Sequence, residues 1–276
     1  MESSEIIRGA EAFYAGTVQT IDFAEKVMNP VLKGQIKPSK KETAIITIYF
    51  RMFLQLYALK LLNEYRSFQS VVACSRSIFE QLLDLKLLIE NKVENPIDKF
   101  HAFVEIDIFK RAKDIVKFSL ENPNIKIENI DIRKQIVNKK GLEEKIKILK
   151  SKYWAKKGFN RHWSGLTIKG RAELLGKEYE AFYYETYSML SWYVHSGPSG
   201  HFYVNKDGLK MMFARGHELS QSMFIEATIL VAKEFSLDKV VPNFYKNIEK
   251  LKLIPGVVLL KDREDIKEII QSIFND

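Results

Sequence analysis

Two charged residues stand where charge is costly. Arg76 and Glu80 lie four apart, on one helical face, inside the otherwise apolar run Val71-Val72-Ala73-Cys74-Ser75-Arg76-Ser77-Ile78-Phe79-Glu80-Gln81-Leu82-Leu83. Burying either is unfavourable unless it is paired. A later segment places Tyr184, Tyr187, Ser188, Ser191 and His195 on one face at spacings of three, four and seven. If the two faces meet, Arg76 and Glu80 find hydroxyl and imidazole partners. Two readings of such a cluster stand open. One is a general acid/base site, with Glu80 orienting His195 and Arg76 holding an anion such as phosphate. The other is a satisfied hydrogen-bond network that fixes how two central helices pack. Ser191 and His195 do not make a hydrolytic triad by spacing alone, since an orienting acid and an oxyanion hole are also required.

The second chemical feature is a concentration of charge. The chain of 276 residues carries a net charge of +8. From Lys126 to Arg171 there are fourteen Lys and Arg against four acids, so this segment carries more than the whole excess. Lys139, Lys140, Lys147, Lys150, Lys156, Lys157 and Arg161 supply the cations, and Trp163 is the ring that could stack on a base. Lysines that attract phosphate, interleaved with aromatic residues, suit RNA or another phosphate-bearing ligand. The competing reading is a solvated helical face, which the recurrence of Ile136, Leu142, Ile146 and Leu149 supports.

Other chemistry is poorly represented. Glycine-rich phosphate loops, HExxH, GxSxG and EF-hand patterns are missing. Ser196-Gly197-Pro198-Ser199-Gly200 lacks the Lys-Ser/Thr that a phosphate loop needs. His101 and Glu105 are four apart, but without the paired Glu-x-x-His pattern of di-iron bundles no metal and no cofactor is expected. The single cysteine, Cys74, excludes an intrachain disulfide and reads as a core thiol; His217 reads as a helix cap or surface residue. Arg51 and Lys60 interrupt the longest apolar run and no leader is visible, so a cytoplasmic protein with no membrane partner is expected.

These residues need elements to position them, and most of the chain reads as helix. The fold class expected is mainly α, a multi-helix bundle with one small β-hairpin near residues 201–213. Helices are expected from Ser4 to Met28, ended by Asn29-Pro30, and from Lys40 to Asn63, opened by a Ser39/Glu42 capping box. Others reach Asn91, run from Asn95-Pro96 to Leu120, and form a pair around Gly176 ending at His195. Asn205-Lys206-Asp207-Gly208 between His201–Val204 and Leu209–Phe213 supplies the hairpin signal. A helix from His217 to Phe235 and a brief apolar run at Val257–Leu260 follow. Residues 1–276 read as a single helical domain, with the basic segment of about 126–171 able to project and the part from about 200 to 276 packed on the bundle.

Ala73–Glu80 as an Arg-x-x-x-Glu helix, Trp163, the Tyr183–Tyr187 region and the Ser-x-x-x-His segment Ser191–Ser196 resemble the bacterial domain of unknown function numbered 5677. The resemblance covers about Lys41 to Ser199. It implies a helical domain in which Arg76, Glu80, Trp163, Ser191 and His195 are the residues of interest, and it implies no reaction. More distantly the layout is similar to the HEPN superfamily, helical bundles common in bacterial toxin and antiviral systems, many of which cut RNA. Their ribonuclease motif is an Arg followed after four to six residues by His. Arg161-His162 and Arg215-Gly216-His217 are too close for it, so such an activity would require Arg76 and His195 to assemble from separate helices.

Three function classes follow. The leading expectation is a protein that binds RNA or another phosphate-bearing ligand, in a defence or toxin-like role. The second is a phosphodiesterase- or ribonuclease-like enzyme using Arg76, Glu80 and His195. The third is an interaction module whose apolar helices complete a homodimer.

Overall fold

A computed structural model describes residues 3–34, 38–154, 162–194 and 206–252. It is mainly helical, and no strand occurs among the described residues. Contacts gather the chain into two compact units, one formed by residues 1–92 and 168–276, the other by residues 93–167.

The larger unit begins with α1 (Ser3–Phe23). Asn29-Pro30 does not end the helical path there. A single π-turn at Ala24–Met28 widens the coil, and α2 (Asn29–Lys33) continues through the proline to Gly34. Proline lacks an N–H and its ring crowds the carbonyl four residues back, so the wider turn lets the chain pass Pro30 without breaking. The helix α3 (Lys40–Leu61) starts at the expected capping box, in which Ser39 Oγ accepts from the Glu42 amide and Glu42 accepts from the Ser39 amide. By length and composition α3 could cross a bilayer; 44% of its most apolar window is buried inside the protein. A short 3-10 turn at Tyr65–Ser67 leads into α4 (Phe68–Ile89).

The chain returns to this unit with α8 (Ile168–Leu175) and α9 (Lys177–Phe182). A second π-turn at Tyr183–Tyr187 and α10 (Ser188–Val194) follow. Then α11 (Lys206–Glu234) occupies the middle, packed by α1, α3 and α4, and α12 (Leu237–Val240) and α13 (Phe244–Lys252) complete the described part. Burial along α11 is nearly unbroken from Met212 to Thr228. Tyr49 of α3 stacks on Phe224 of α11, ring centres 5.1 Å apart, and its hydroxyl meets Thr228 Oγ1 at 3.3 Å. At Gly216 α4 packs closely on α11, for a Cβ there would stand 2.6 Å from Val71 Cγ1.

Two expectations are corrected here. The hairpin is absent in its second half: residues 206–213 form the start of α11, while 201–205 lie outside the described residues. Leu209, Met212, Phe213 and Gly216 continue into Leu219, Ser220 and Met223 at helical spacing, and this long period outweighs a five-residue alternation. Likewise His217 is not a cap or surface residue. It is fully buried, with Nδ1 3.0 Å from Thr17 Oγ1 and Nε2 3.4 Å from the Leu62 carbonyl. The apolar run Val257–Leu260 and the motif Ser196–Gly200 lie outside the described residues.

The smaller unit contains α5 (Pro96–Glu121), α6 (Ile130–Val137) and α7 (Leu142–Trp154). Pro96 sits in the first turn, where its missing N–H leaves nothing unsatisfied. One side of α5 (Ala102, Phe103, Ile106 and Phe109) packs against Ile136 of α6 and Ile146, Leu149 and Trp154 of α7. Lys113 pairs with Glu143 at 2.9 Å and Lys145 with Glu105, tying α5 to α7 at the surface.

Candidate functional site

The polar residues of α4 face the segment α8–α10, whose path from Tyr179 to Tyr187 runs along it in the opposite sense. Its clearest element is a chain of three side chains. Arg76 Nη2 donates to Tyr187 Oη at 2.6 Å, and that hydroxyl donates to Glu80 Oε1 at 2.6 Å. Arg76 and Glu80 are themselves 3.6 Å apart, and the guanidinium lies 4.8 Å from the centre of the Tyr187 ring. Burial, reinforced by the bond to Glu80 and opposed by Arg76, pushes the Tyr187 hydroxyl up to about 12. It is therefore protonated at neutral pH and available as a donor to the carboxylate.

The π-turn is what delivers Tyr187. Its extra residue rotates the end of the segment, and Ser188 Oγ donates to the Tyr183 carbonyl five residues back. Tyr183 and Tyr187 stack with ring centres 5.5 Å apart, and Phe79 packs tilted against Tyr187 at 5.6 Å. Of the face read from sequence, Tyr187 joins Arg76 and Glu80. Tyr184 is exposed beneath Lys169. Ser191 donates to the Tyr187 carbonyl at 2.8 Å, an internal helix bond rather than a link to a base. His195 lies outside the described residues. Arg76 is 12% exposed and Glu80 34%, so the carboxylate is the end of the relay that solvent reaches.

Two further polar layers on α4 escape a reading by short-range spacing. Asp84 pairs with Arg171 at 2.7 Å, and the same guanidinium reaches the Glu80 carbonyl at 3.2 Å. Arg171 is 4% exposed, so this is a buried ion pair between α4 and α8. Two residues on, Lys86 pairs with Glu90 at 2.8 Å and approaches Glu226 at 3.6 Å, while Tyr179 donates to the same Glu226 oxygen. Glu226 Oε2 is buried without a hydrogen-bond partner among the described residues. Burial raises the Glu226 carboxyl above the usual carboxylate range, against the lowering by Tyr179 and Lys86. The signal for these layers is the run Arg76, Glu80, Asp84 at four-residue spacing; the partners of Asp84 and Lys86 on other helices stand 87 to 140 residues downstream, beyond the reach of local pattern.

The basic segment divides more sharply than its composition. Lys139, Lys140 and Lys147 are exposed and Lys150 is half-buried. Lys139 and Lys140, in the turn between α6 and α7, have no ion pair among the described residues; Lys147 is 3.7 Å from Glu144. Lys156, Lys157 and Arg161 lie outside the described residues. Trp163 differs from the expectation. It is 3% exposed and edge-on to Phe100 at 5.8 Å, so it is a core ring and cannot receive a base. Its apolar area is what fixed its place: an indole this large stabilises the small unit more by burial than by waiting in water.

No group of three metal-ligating side chains converges among the described residues. Glu105 bonds Lys145, and the His101 ring lies edge-on to Phe100 at 5.8 Å. Cys74 is half-buried, and desolvation pushes its thiol up, away from a reactive thiolate.

The model of the Family of unknown function (DUF5677) matches residues 42–225, well over half of the chain. No curated protein matches, and no solved structure does.

Proposed function

The chain belongs to the DUF5677 family, a membership that assigns no reaction, and we propose from its own residues that it binds RNA through the basic helices α6 and α7. One observation carries this reading: Lys139, Lys140 and Lys147 stand exposed on a unit whose sequence from Lys126 to Thr167 holds twelve cations against four acids. Because Trp163 is buried, the contact is with the phosphate backbone rather than through base stacking, and binding is expected to be sequence-tolerant and salt-sensitive. The likeness to HEPN bundles adds the expectation of a defence or toxin-like setting.

The test is titration of a single-stranded RNA with purified protein at low and moderate salt, followed by a denaturing gel. Affinity should fall steeply with salt and the RNA should remain intact. Replacing Lys139, Lys140 and Lys147 together with Gln should lower the log–log salt slope by about 2. No binding at low salt sinks the reading.

A second reading rests on the solvent-facing Glu80 carboxylate, whose orientation Tyr187 fixes. In it Glu80 and His195 act as acid/base on a phosphodiester that Arg76 holds. RNA cleavage that disappears in His195→Ala with unchanged melting temperature, and in Glu80→Gln at temperatures where that variant stays folded, would select it over simple binding.

A further inference from the structure

One helix has two apolar faces. The face of α5 that carries Ala102, Ile106 and Phe109 is used up in the core of the smaller unit. On its other side Ile97, His101, Val104, Ile108, Arg111, Ile115 and Phe118 recur at alternating steps of four and three residues. That 3.5-residue period is the one that keeps a seam facing a second helix as the two wind together. Val104 is 43% exposed, Ile108 51% and Phe118 45%, so at these positions the seam faces solvent, with Ile97, His101 and Ile115 half-buried between and beside them. An amphipathic helix with a single core needs one apolar stripe, not two.

We propose that this seam receives α5 of a second copy of the chain, antiparallel, about a two-fold axis. The charges choose that partner. Arg111 is the one fully charged residue on the seam, and Asp107, one turn before it, lies at the seam's edge, 2.7 Å away within the helix. An antiparallel register that sets Ile108 against Arg111 also sets Val104 against Ile115 and His101 against Phe118, and the two-fold axis repeats each pair. It brings each Arg111 beside the second copy's Asp107, so the ion pair within each helix becomes two between helices, while the arginine stem lies along Ile108. Asp114 falls opposite Glu105, whose charge Lys145 already compensates. A parallel register would stack Arg111 on Arg111 and is disfavoured. The seam is thus complementary to itself. It is also narrow: a helix of 26 residues is about 39 Å long and about 10 Å across, the small end of specific interfaces, so the dissociation constant should be on the order of micromolar.

Sedimentation velocity on the nuclease-treated full chain, from low to high micromolar concentration, tests this. The mass should rise from monomer to dimer. Ile108→Glu should raise the dissociation constant by about tenfold or more, whereas Ile148→Glu, equally exposed on the same unit but off the seam, should not. Arg111→Asp should weaken the dimer and Asp107→Arg with Arg111→Asp should restore it, a rescue that a merely misfolded variant would not give. Circular dichroism checks helicity, and Ile108→Gln replaces Ile108→Glu if the latter fails to fold. A chain that stays monomeric throughout overturns the proposal. So does a dimer that Ile108→Glu leaves intact, that Ile148→Glu disrupts as much, or that the charge swap does not rescue.

Discussion

The Tyr187 hydroxyl sits between Arg76 and Glu80, accepting from one at 2.6 Å and donating to the other at 2.6 Å. A hydroxyl can do both at once, so the tyrosine converts an ion pair with 3.6 Å between its charges into a continuous chain. Tyr187→Phe should cost about 1–2 kcal/mol, because the two charges are still near enough to reach each other. Glu80→Ala should cost more, about 2–3 kcal/mol, since it leaves the largely buried Arg76 without its acid. Urea unfolding of both variants checks the order. An equal or reversed order would mean that the tyrosine, not the carboxylate, carries the network.

His217 predicts a pH dependence of stability. Burial holds its imidazole down to about 4, against the 6.5 of the free side chain. The unfolded chain therefore takes up a proton at a pH where the folded chain does not. Stability is fully present above about 6.5 and is lost as the pH falls toward about 4, by about 3 kcal/mol in all. Thr17 and the Leu62 carbonyl bracket the ring, so His217→Gln should remove most of this slope while lowering stability at pH 7. Melting temperatures between pH 7 and pH 4 measure both.

Glu226 works in the opposite sense. Its folded carboxyl is raised by burial, so the stability linked to it is complete below the ordinary carboxylate range and is lost as the pH rises through the folded value. Glu226→Gln keeps an oxygen to accept from Tyr179 and discards the charge. The variant should melt higher than the parent at pH 8, with the advantage shrinking toward pH 5. A uniform loss at both would show that the pairing with Lys86 outweighs desolvation.

Gly216→Ala adds a methyl group 2.6 Å from Val71 Cγ1, too close for either helix to ignore. The expected loss is about 1–3 kcal/mol, and Val71→Ala in the same chain should return much of it. Absence of coupling in that cycle would place the helices farther apart than described.

What could be read from sequence tracks how local its cause is. The capping box at Ser39 and the ends of α3, α4 and α5 depend on neighbours within four residues; the box stands where expected and the ends fall within two residues of their expected places. Arg76 and Glu80 drew notice because charge inside an apolar helix demands a partner, and Tyr187 provides it. The partners of Asp84 and Lys86 had no such marker, since Arg171, Tyr179 and Glu226 look like ordinary surface or amphipathic positions until α8, α9 and α11 close over α4. Pro30 and Asp207-Gly208 failed as stop and turn signals because the surrounding helical packing outweighed them. Trp163 misled for the same reason: its type suits stacking on a base, but its surroundings claim it for a core.

The position of α11 along the chain has a consequence for biosynthesis. Its nearest neighbours α1, α3 and α4 are complete by residue 89, yet α11 itself ends at residue 234. At ordinary elongation rates of about 5–20 residues per second, roughly 7–30 s separate the two events. Throughout that interval the sides of the early helices that will meet Phe224, Met223 and Ala227 have nothing to cover them. The nascent chain thus carries three apolar helices whose central partner is still unmade, and a ribosome-associated chaperone that covers such surfaces would be needed most between the emergence of α4 and that of α11.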